Sequence, residues 1–196
     1  MTSIQRRVFF TLGSVAAGSL AAPRLLHAQA RTIADTLAGD QRFSRFLDVI
    51  TRASLVDGFR QPAAMTVFAP VDQAFLGAPA GLMQDLLGKS GGSGNDTGDA
   101  ERDRVAALVN YHVVPGAFTL QQLAGSDRRV RTVNGGDLQI SANGSELTVR
   151  NPAPAQQLGS PGAAGAQMSA GPAQLVGSPI QASNGIIYPV SQILWP

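Results

Sequence analysis

Residues 66–75 read TVFAPVDQAF, and residues 111–116 read YHVVPG. Each stretch runs from a β-branched, apolar segment into a turn at a proline, which is disfavoured in helix interiors and central strands. The first stretch predicts a short buried strand over 65–69 and then a helix that begins at about Asp72. We expect the Asp72 carboxylate to accept hydrogen bonds from the free N–H groups of that helix's first turn.

The first half of the chain has helical periodicity. Apolar residues spaced by three and four predict two helices with a break near 39–40, and the second ends at 55–58. These apolar residues are Ile33, Leu37, Phe43, Phe46, Leu47 and Ile50. Further helices are predicted over 80–87 and from about 101 to 110. Thr119 is predicted to cap a helical turn that carries Leu120 and Leu123.

The second half of the chain alternates with period two, which is typical of strands. Asn-Gly pairs at 134–135, 143–144 and 184–185 supply the positive-φ turns that tight hairpins need. Because helices come first and hairpins second, the pattern favours an α+β fold over an alternating parallel one. The predicted strands cover 130–133, 138–141, 147–150, 174–176 and 186–190.

The N-terminal segment has the pattern of an export signal. Arg6 and Arg7 precede two phenylalanines, small and apolar residues fill 8–22, and residues 28–30 read AQA, which fits a cleavage site. The apolar run is shorter than the roughly 20 residues that span a bilayer. We therefore expect a twin-arginine-type signal peptide over 1–30, a single domain over 31–196, and a periplasmic or extracellular location.

The charge balance changes once the predicted signal is set aside. Three of the 15 basic residues lie within 1–30, which has no acidic residue, so 12 basic and 13 acidic residues remain. No basic stripe is left to indicate a nucleic-acid surface. The local group formed by Arg128, Arg129 and Arg131 is interpreted as a solvated loop or strand end.

Composition excludes several kinds of site. The chain has no cysteine, which excludes disulfides, thiolate zinc sites and a cysteine nucleophile. The Gly-Lys-Ser sequence at 88–90 lacks the upstream glycine and strand of a phosphate loop. No nucleophilic triad can be assembled without an arbitrary choice of serines, and the ligand order of a calcium loop is absent. Residues 88–100 and 152–172 are low in large apolar residues and are predicted to be flexible insertions. No cofactor and no metal site is predicted.

Several short segments, taken in order, resemble the fasciclin-like domain family. They are residues 32–35 (TIAD), 42–44 (RFS), 55–57 (LVD), 66–75, 111–116 and 182–187 (ASNGII). The resemblance extends from about residue 32 to residue 196. It implies N-terminal helices packed on a β-sandwich or wedge of mostly antiparallel strands, in an extracytoplasmic adhesion and interaction module.

Two segments depart from the family pattern. Val71 replaces the usual small hydroxyl residue after Ala-Pro, so capping falls to Asp72. Pro189 lies in the closing strand and has no N–H, so this strand is predicted to be an edge or to leave one position unpaired. The family often has histidine, an aliphatic residue and aspartate where this chain has Tyr188, Pro189 and Ser191.

The insertion at 152–172 falls where the family has a tight hairpin. Residues 147–151 and 173–177 are still expected to pair, with a long flexible tip between them.

The candidate binding residues are Asp72, Tyr111 and His112. His112 is the only histidine of 31–196, so a histidine-rich metal site is excluded. It can act as a general base with Asp72 as its partner, or it can be a buried imidazole hydrogen-bonded to backbone or to a side chain near Asp72. The resemblance also implies that the integrin contact of vertebrate members, in their Tyr-His region, corresponds to Tyr111 and His112.

The leading hypothesis is a non-enzymatic, exported adhesion module that contacts a cell-surface or matrix protein or a polysaccharide. The alternative is a carrier of a small apolar ligand, such as the carotenoids that some fasciclin-like proteins bind. Its apolar surface would include Phe68, Phe75, Met83, Leu87 and Phe118. A third hypothesis is a hydrolase centred on His112.

Overall fold

The computed structural model describes residues 31–78, 97–152 and 171–195. Within these ranges it has five α-helices and eight strands, together with two 3₁₀ turns at Gln41–Phe43 and Gly58–Arg60. The helices are α1 (Ile33–Ala38), α2 (Ser44–Arg52), α3 (Asp72–Leu76), α4 (Thr97–Tyr111) and α5 (Leu120–Leu123). The strands are β1 (Met65–Pro70), β2 (Val113–Pro115), β3 (Gly125–Arg131), β4 (Asp137–Asn143), β5 (Glu146–Arg150), β6 (Ala173–Gln174), β7 (Ile180–Ala182) and β8 (Gly185–Val190).

The strands form two four-stranded sheets. The first has the order β2-β1-β8-β7, and the second has the order β3-β4-β5-β6. All neighbouring strands are antiparallel except β1 and β8, which run parallel. Helices followed by mostly antiparallel sheets confirm the predicted α+β class.

The first sheet is buried on both faces. Val67 and Ile187 join the core that contains the helices, whereas Phe68 and Tyr188 join the core between the two sheets. Because successive strand residues point to opposite faces, a sheet between two cores requires strands that are apolar throughout. This explains the largely apolar runs at 65–71 and 186–190.

Most predicted helices are present, with differences at their ends. The break near 39–40 is confirmed, but α2 ends at Arg52 rather than at 55–58 because the backbone turns at Ser54, which has a φ of 56°. Helix α4 begins at Thr97, inside the stretch predicted to be a flexible insertion. Thr119 caps α5 through a reciprocal capping box with Gln122, as predicted. The helix predicted at 80–87 lies outside the described residues.

The predicted hairpins form around their glycines. Gly135 and Gly144 have φ values of 86° and 62°, in the left-handed region that glycine adopts without strain. Pairing of Thr148 with Gln174 confirms that β5 and β6 remain partners, and their connection at 153–170 lies outside the described residues. Strand β7 was not predicted, because three residues are too few for an alternation to be recognised.

Pro189 does not lie in an edge strand, because β8 is flanked by β1 and β7. The carbonyl of Pro189 accepts the Val176 N–H at 2.8 Å, on the side of β8 away from β1. The N and O of a strand residue point to the same side. The Pro189 nitrogen, which carries no hydrogen, therefore faces the space beyond the end of β7. Of the two predictions for this strand, an edge or an unpaired position, the unpaired position is observed.

Candidate functional site

Residues 66–75 and 111–116 lie side by side in the fold. Thr66 pairs with Val114 and Val67 with Val113 across the β1–β2 ladder, and the Phe68 N–H donates to the His112 carbonyl at 2.9 Å. The second stretch also connects the end of α4 to the first sheet. The predicted adjacency of these segments is therefore present.

Thr66 fixes the turn that follows β2. Its hydroxyl donates to the Gly116 carbonyl at 2.7 Å and accepts the Phe118 N–H at 2.9 Å. Gly116 has a φ of 100°, and a side chain there would approach the Phe118 ring. The Tyr188 hydroxyl donates to the Phe118 carbonyl at 2.9 Å. Sequence analysis missed this role for Thr66; the available signal was one hydroxyl residue inside an otherwise apolar strand.

His112 is fully buried, and both of its ring nitrogens bond to backbone. Nδ1 lies 2.8 Å from the carbonyl of Leu108, and Nε2 accepts the Leu194 N–H at 3.0 Å. Because Nε2 accepts, the proton is on Nδ1, which donates to a free carbonyl in the last turn of α4. The ring also packs against Phe46, with centroids 5.6 Å apart.

Burial controls the protonation of His112. Desolvation lowers the pKa of His112 from 6.5 to about 4, because the charged imidazolium loses its hydration; the hydrogen bond to Leu108 opposes this change more weakly. The ring is therefore neutral near pH 7, which matches its two hydrogen bonds. No lone pair of the neutral ring is left to accept a proton from a substrate.

Asp72 does not have the position predicted for it. Val71 precedes α3 and makes no side-chain capping bond, and the Asp72 carboxylate accepts the Arg45 N–H at 2.9 Å. Arg45 lies in the first turn of α2, whose own preceding residue, Phe43, supplies no cap. Asp72 therefore caps a helix that begins 28 residues earlier, and it is not hydrogen-bonded to His112.

Tyr111 is buried at the end of α4. Its hydroxyl donates to the Asp137 carbonyl at 3.0 Å, and its ring lies against Gly136, where an added Cβ would be 2.6 Å from the Tyr111 Cε2 atom. Burial, helped by the Asp137 carboxylate, raises the pKa of Tyr111 to about 12. The phenol therefore stays protonated and connects α4 to the β3–β4 turn.

Asn184 is a buried polar residue whose role the sequence did not reveal. Its amide oxygen accepts the Ile33 N–H at 2.8 Å, and its amide nitrogen donates to the carbonyls of Phe59 and Gln61 at 2.9 and 2.8 Å. Its carbonyl accepts the Met65 N–H. One side chain thus joins the start of α1, the second 3₁₀ turn and the closing hairpin. Sequence analysis assigned it only to a turn.

The apolar surface expected for a carrier is not formed as predicted. Phe68 and Phe75 are 0% and 2% exposed and belong to the cores, and Phe118 is half-buried. Met83 and Leu87 lie outside the described residues. An open cleft of about 290 Å³ lies beside Thr119, Ser183 and Gly185, and neither Phe68, Phe75 nor Phe118 lines it.

The described part of the chain has neither a cluster of metal ligands nor a helix that could span a membrane. No group of three or more histidine, aspartate or glutamate side chains there is arranged to hold a metal ion. Across 31–78, 97–152 and 171–195, no helix has the length and apolar character needed to cross a bilayer.

Comparison with known proteins places this fold in a family. The fasciclin domain profile matches residues 41–196. Protein sll1483 of Synechocystis sp. is 27% identical over 85% of this chain and 74% of its own length. The transforming growth factor-beta-induced protein ig-h3 of Oryctolagus cuniculus is 25% identical over 88% of this chain, which spans only 20% of that protein.

A solved structure shares the architecture. It is a FAS1 domain pair from the insect cell adhesion molecule Fasciclin I, with a TM-score of 0.59 and 12% identity. The match covers 85% of this chain and 51% of that one, so it supports the fold alone. With the profile match over most of its length, the chain belongs to the fasciclin domain family.

Proposed function

We propose that this chain is an exported, non-enzymatic interaction module that attaches its host to a cell-surface or matrix component. The observation that carries the proposal is the fasciclin match over residues 41–196. The same architecture occurs in Fasciclin I, an insect cell adhesion molecule. The residues 1–30, with paired arginines and an apolar run, supply the expected route out of the cytoplasm.

The bonding of the candidate residues supports a role without catalysis. His112, Tyr111 and Asp72 each hydrogen-bond to the backbone of this chain. Among the described side chains, no buried nitrogen or oxygen lacks a hydrogen-bond partner. A general base needs a nitrogen or oxygen within reach of a substrate proton. The hydrolase hypothesis therefore has no group to perform its first step at His112.

Burial also defines how Tyr111 and His112 contribute to binding. They are 1% and 0% exposed, so we propose that they position neighbouring exposed segments rather than touch a partner themselves. Val133 is one such neighbour: its N–H donates to the Val113 carbonyl at 2.8 Å, and the residue is 51% exposed. Partner contact then falls on exposed surfaces outside residues 66–75 and 111–116, which we call the signature stretches.

An attachment assay tests the proposal. A strain that lacks the gene is compared with its parent and with the deletion strain carrying the wild-type gene. We expect reduced attachment or biofilm in the deletion strain and recovery on complementation. Equal attachment of all three strains would contradict the adhesion role.

A further inference from the structure

Asparagine is followed by glycine at three places in the chain, 134–135, 143–144 and 184–185. Such a pair can modify itself, because glycine has no Cβ and its backbone nitrogen can come close to the carbonyl carbon of the preceding side chain. The reaction needs an asparagine side chain that is free to turn and a glycine N–H that no acceptor holds. All three pairs lie in the described part of the chain, and they differ in both requirements.

Asn184 meets neither requirement. Its side chain is buried and makes three hydrogen bonds, to backbone groups of Ile33, Phe59 and Gln61. Gly185 lies in β8 and is paired with strands on both sides. All three side-chain bonds would have to break before the amide could turn toward the glycine nitrogen, so the fold protects this pair.

Asn134 is exposed, but the nitrogen that would attack it is held. The Gly135 N–H donates to the Thr132 carbonyl at 2.9 Å. The backbone N–H of Asn134 itself donates to the Asn110 carbonyl at 3.3 Å. A peptide nitrogen has to lose its proton before it attacks a carbonyl carbon, and the Gly135 hydrogen bond must break first. This turn therefore slows the reaction without preventing it.

Asn143 meets both requirements. It is exposed and forms the last pair of the β4–β5 hairpin, opposite Glu146. Gly144 follows in the two-residue turn, outside the ladder, with a φ of 62° that residues with a side chain rarely adopt. Among the residues that the structure describes, none accepts a hydrogen bond from the Gly144 N–H. The attacking nitrogen and its target are both open to solvent.

We propose that Asn143 deamidates spontaneously in the folded protein, ahead of Asn134 and Asn184. The Gly144 nitrogen gives its proton to solvent and bonds to the side-chain carbonyl carbon of Asn143, which closes a succinimide ring. The carbon–nitrogen bond of the side-chain amide breaks, and ammonia leaves with a proton from solvent. Water then opens the ring at either carbonyl and gives aspartate or a β-linked isoaspartate. Overall, one water is consumed and one ammonia is released for each converted asparagine.

The modification changes the tip of the β4–β5 hairpin. It places a carboxylate at position 143 directly opposite Glu146, and like charges that face each other across a ladder destabilise the pair. The β-linked product also adds one methylene to the backbone where the hairpin closes. No partner is required, so the inference stands whether or not the adhesion role is correct.

Timed incubation tests the inference. The purified protein is kept in mildly alkaline buffer, either folded or in guanidinium chloride, and samples are digested at intervals. Cleavage before Asp137 and after Arg150 places the three asparagines on separate peptides, whose deamidated fractions are measured by mass spectrometry. In guanidinium chloride we expect similar rates at the three sites, because each has the same glycine neighbour and no fold protects it.

The folded protein should separate the three sites. We expect Asn143 to keep about its denatured rate. Asn134 should react about fivefold more slowly than Asn143 and Asn184 at least about a hundredfold more slowly, since one and three hydrogen bonds must break first. A folded-state rate at Asn134 or Asn184 equal to or above that of Asn143 would overturn the proposal. So would an Asn143 that reacts only in guanidinium chloride.

Two matched variants locate the new charge. Asn143→Gln and Asn134→Gln are both substitutions at exposed turn positions, where effects on stability are small. Glutamine would have to close a larger and less favoured ring. We expect the acidic form that anion-exchange chromatography separates after incubation to be lost in Asn143→Gln and retained in Asn134→Gln. An acidic form at the wild-type level in Asn143→Gln would contradict the assignment.

Discussion

At the scale of single residues, His112 is a structural group. Its neutral ring bridges the last turn of α4 and the segment after β8 through two backbone hydrogen bonds. This buried arrangement has a measurable consequence, because only the neutral ring can accept the Leu194 N–H at Nε2. Stability should therefore depend on pH in a window that the pKa change defines.

We expect the free energy of unfolding to decrease as the pH falls from 6.5 to about 4. In the unfolded chain His112 takes up a proton near its ordinary pKa of 6.5, whereas in the folded protein it resists protonation until about pH 4. The unfolded state binds more protons in this window, so acidification favours unfolding. The contribution is on the order of 3 kcal/mol, and urea titrations at several pH values measure it.

The His112→Gln variant is the control for this pH dependence. Its side-chain oxygen can replace Nε2 as the acceptor for Leu194, but it does not titrate. Carboxylates titrate in both proteins, so the difference between the two profiles isolates the histidine. Profiles of equal slope between pH 6.5 and 4 would contradict the buried neutral imidazole.

Asp72 shows where residue-level prediction failed. The local rule for helix capping assigned its carboxylate to the helix that it begins, because a single sequence shows only neighbours along the chain. The fold instead brings the start of α2 within 2.9 Å, where Phe43 leaves the first turn uncapped. A tertiary contact of this kind has no sequence signature at short range.

At the scale of elements, the structure confirms turns and a cap that neighbouring residues predict. Several contacts between residues far apart in the sequence were not predicted. The Asn-Gly hairpins and the Thr119 cap depend on residues within four positions of each other, and both are present. The role of Asn184 depends on partners far along the chain, up to 151 residues for Ile33. Strand β7 pairs with the adjacent β8, but its three residues are too few to show an alternation. The sequence left open whether His112 is a general base or a buried imidazole, and in the fold it is buried with both ring nitrogens bonded to backbone.

We expect Asn184→Ala to destabilise the protein by about 2–4 kcal/mol. The substitution leaves the Ile33 N–H and the carbonyls of Phe59 and Gln61 without their partner in a buried region. Thermal unfolding measured by circular dichroism should show a melting temperature lower by roughly 4–16 °C for a chain of this size.

Ser183→Ala is the matched control for that substitution. Ser183 is the exposed neighbour, and it contributes its backbone N–H to the Arg31 carbonyl, which alanine retains. A change within about 0.5 kcal/mol is expected. Equal melting temperatures for Asn184→Ala and the wild type would contradict the bridging role of Asn184.

At the scale of the whole molecule, the first sheet is the shared wall of two cores. The helices cover one face and the second sheet covers the other, so the signature stretches in β1 and β2 are enclosed between them. The outward face of the second sheet is polar on β4 and β5. The signature stretches are therefore enclosed, and the surfaces left for a partner lie outside them.

The central claim is that the signature stretches are framework and that binding occurs on outer surfaces. The most direct test is attachment of the deletion strain complemented with His112→Gln, measured well below the melting temperature of the variant with the folded fraction determined in parallel. We predict attachment equal to that of the wild type once corrected for folded protein. Lost attachment with an unchanged folded fraction would contradict the claim and make His112 part of the binding site.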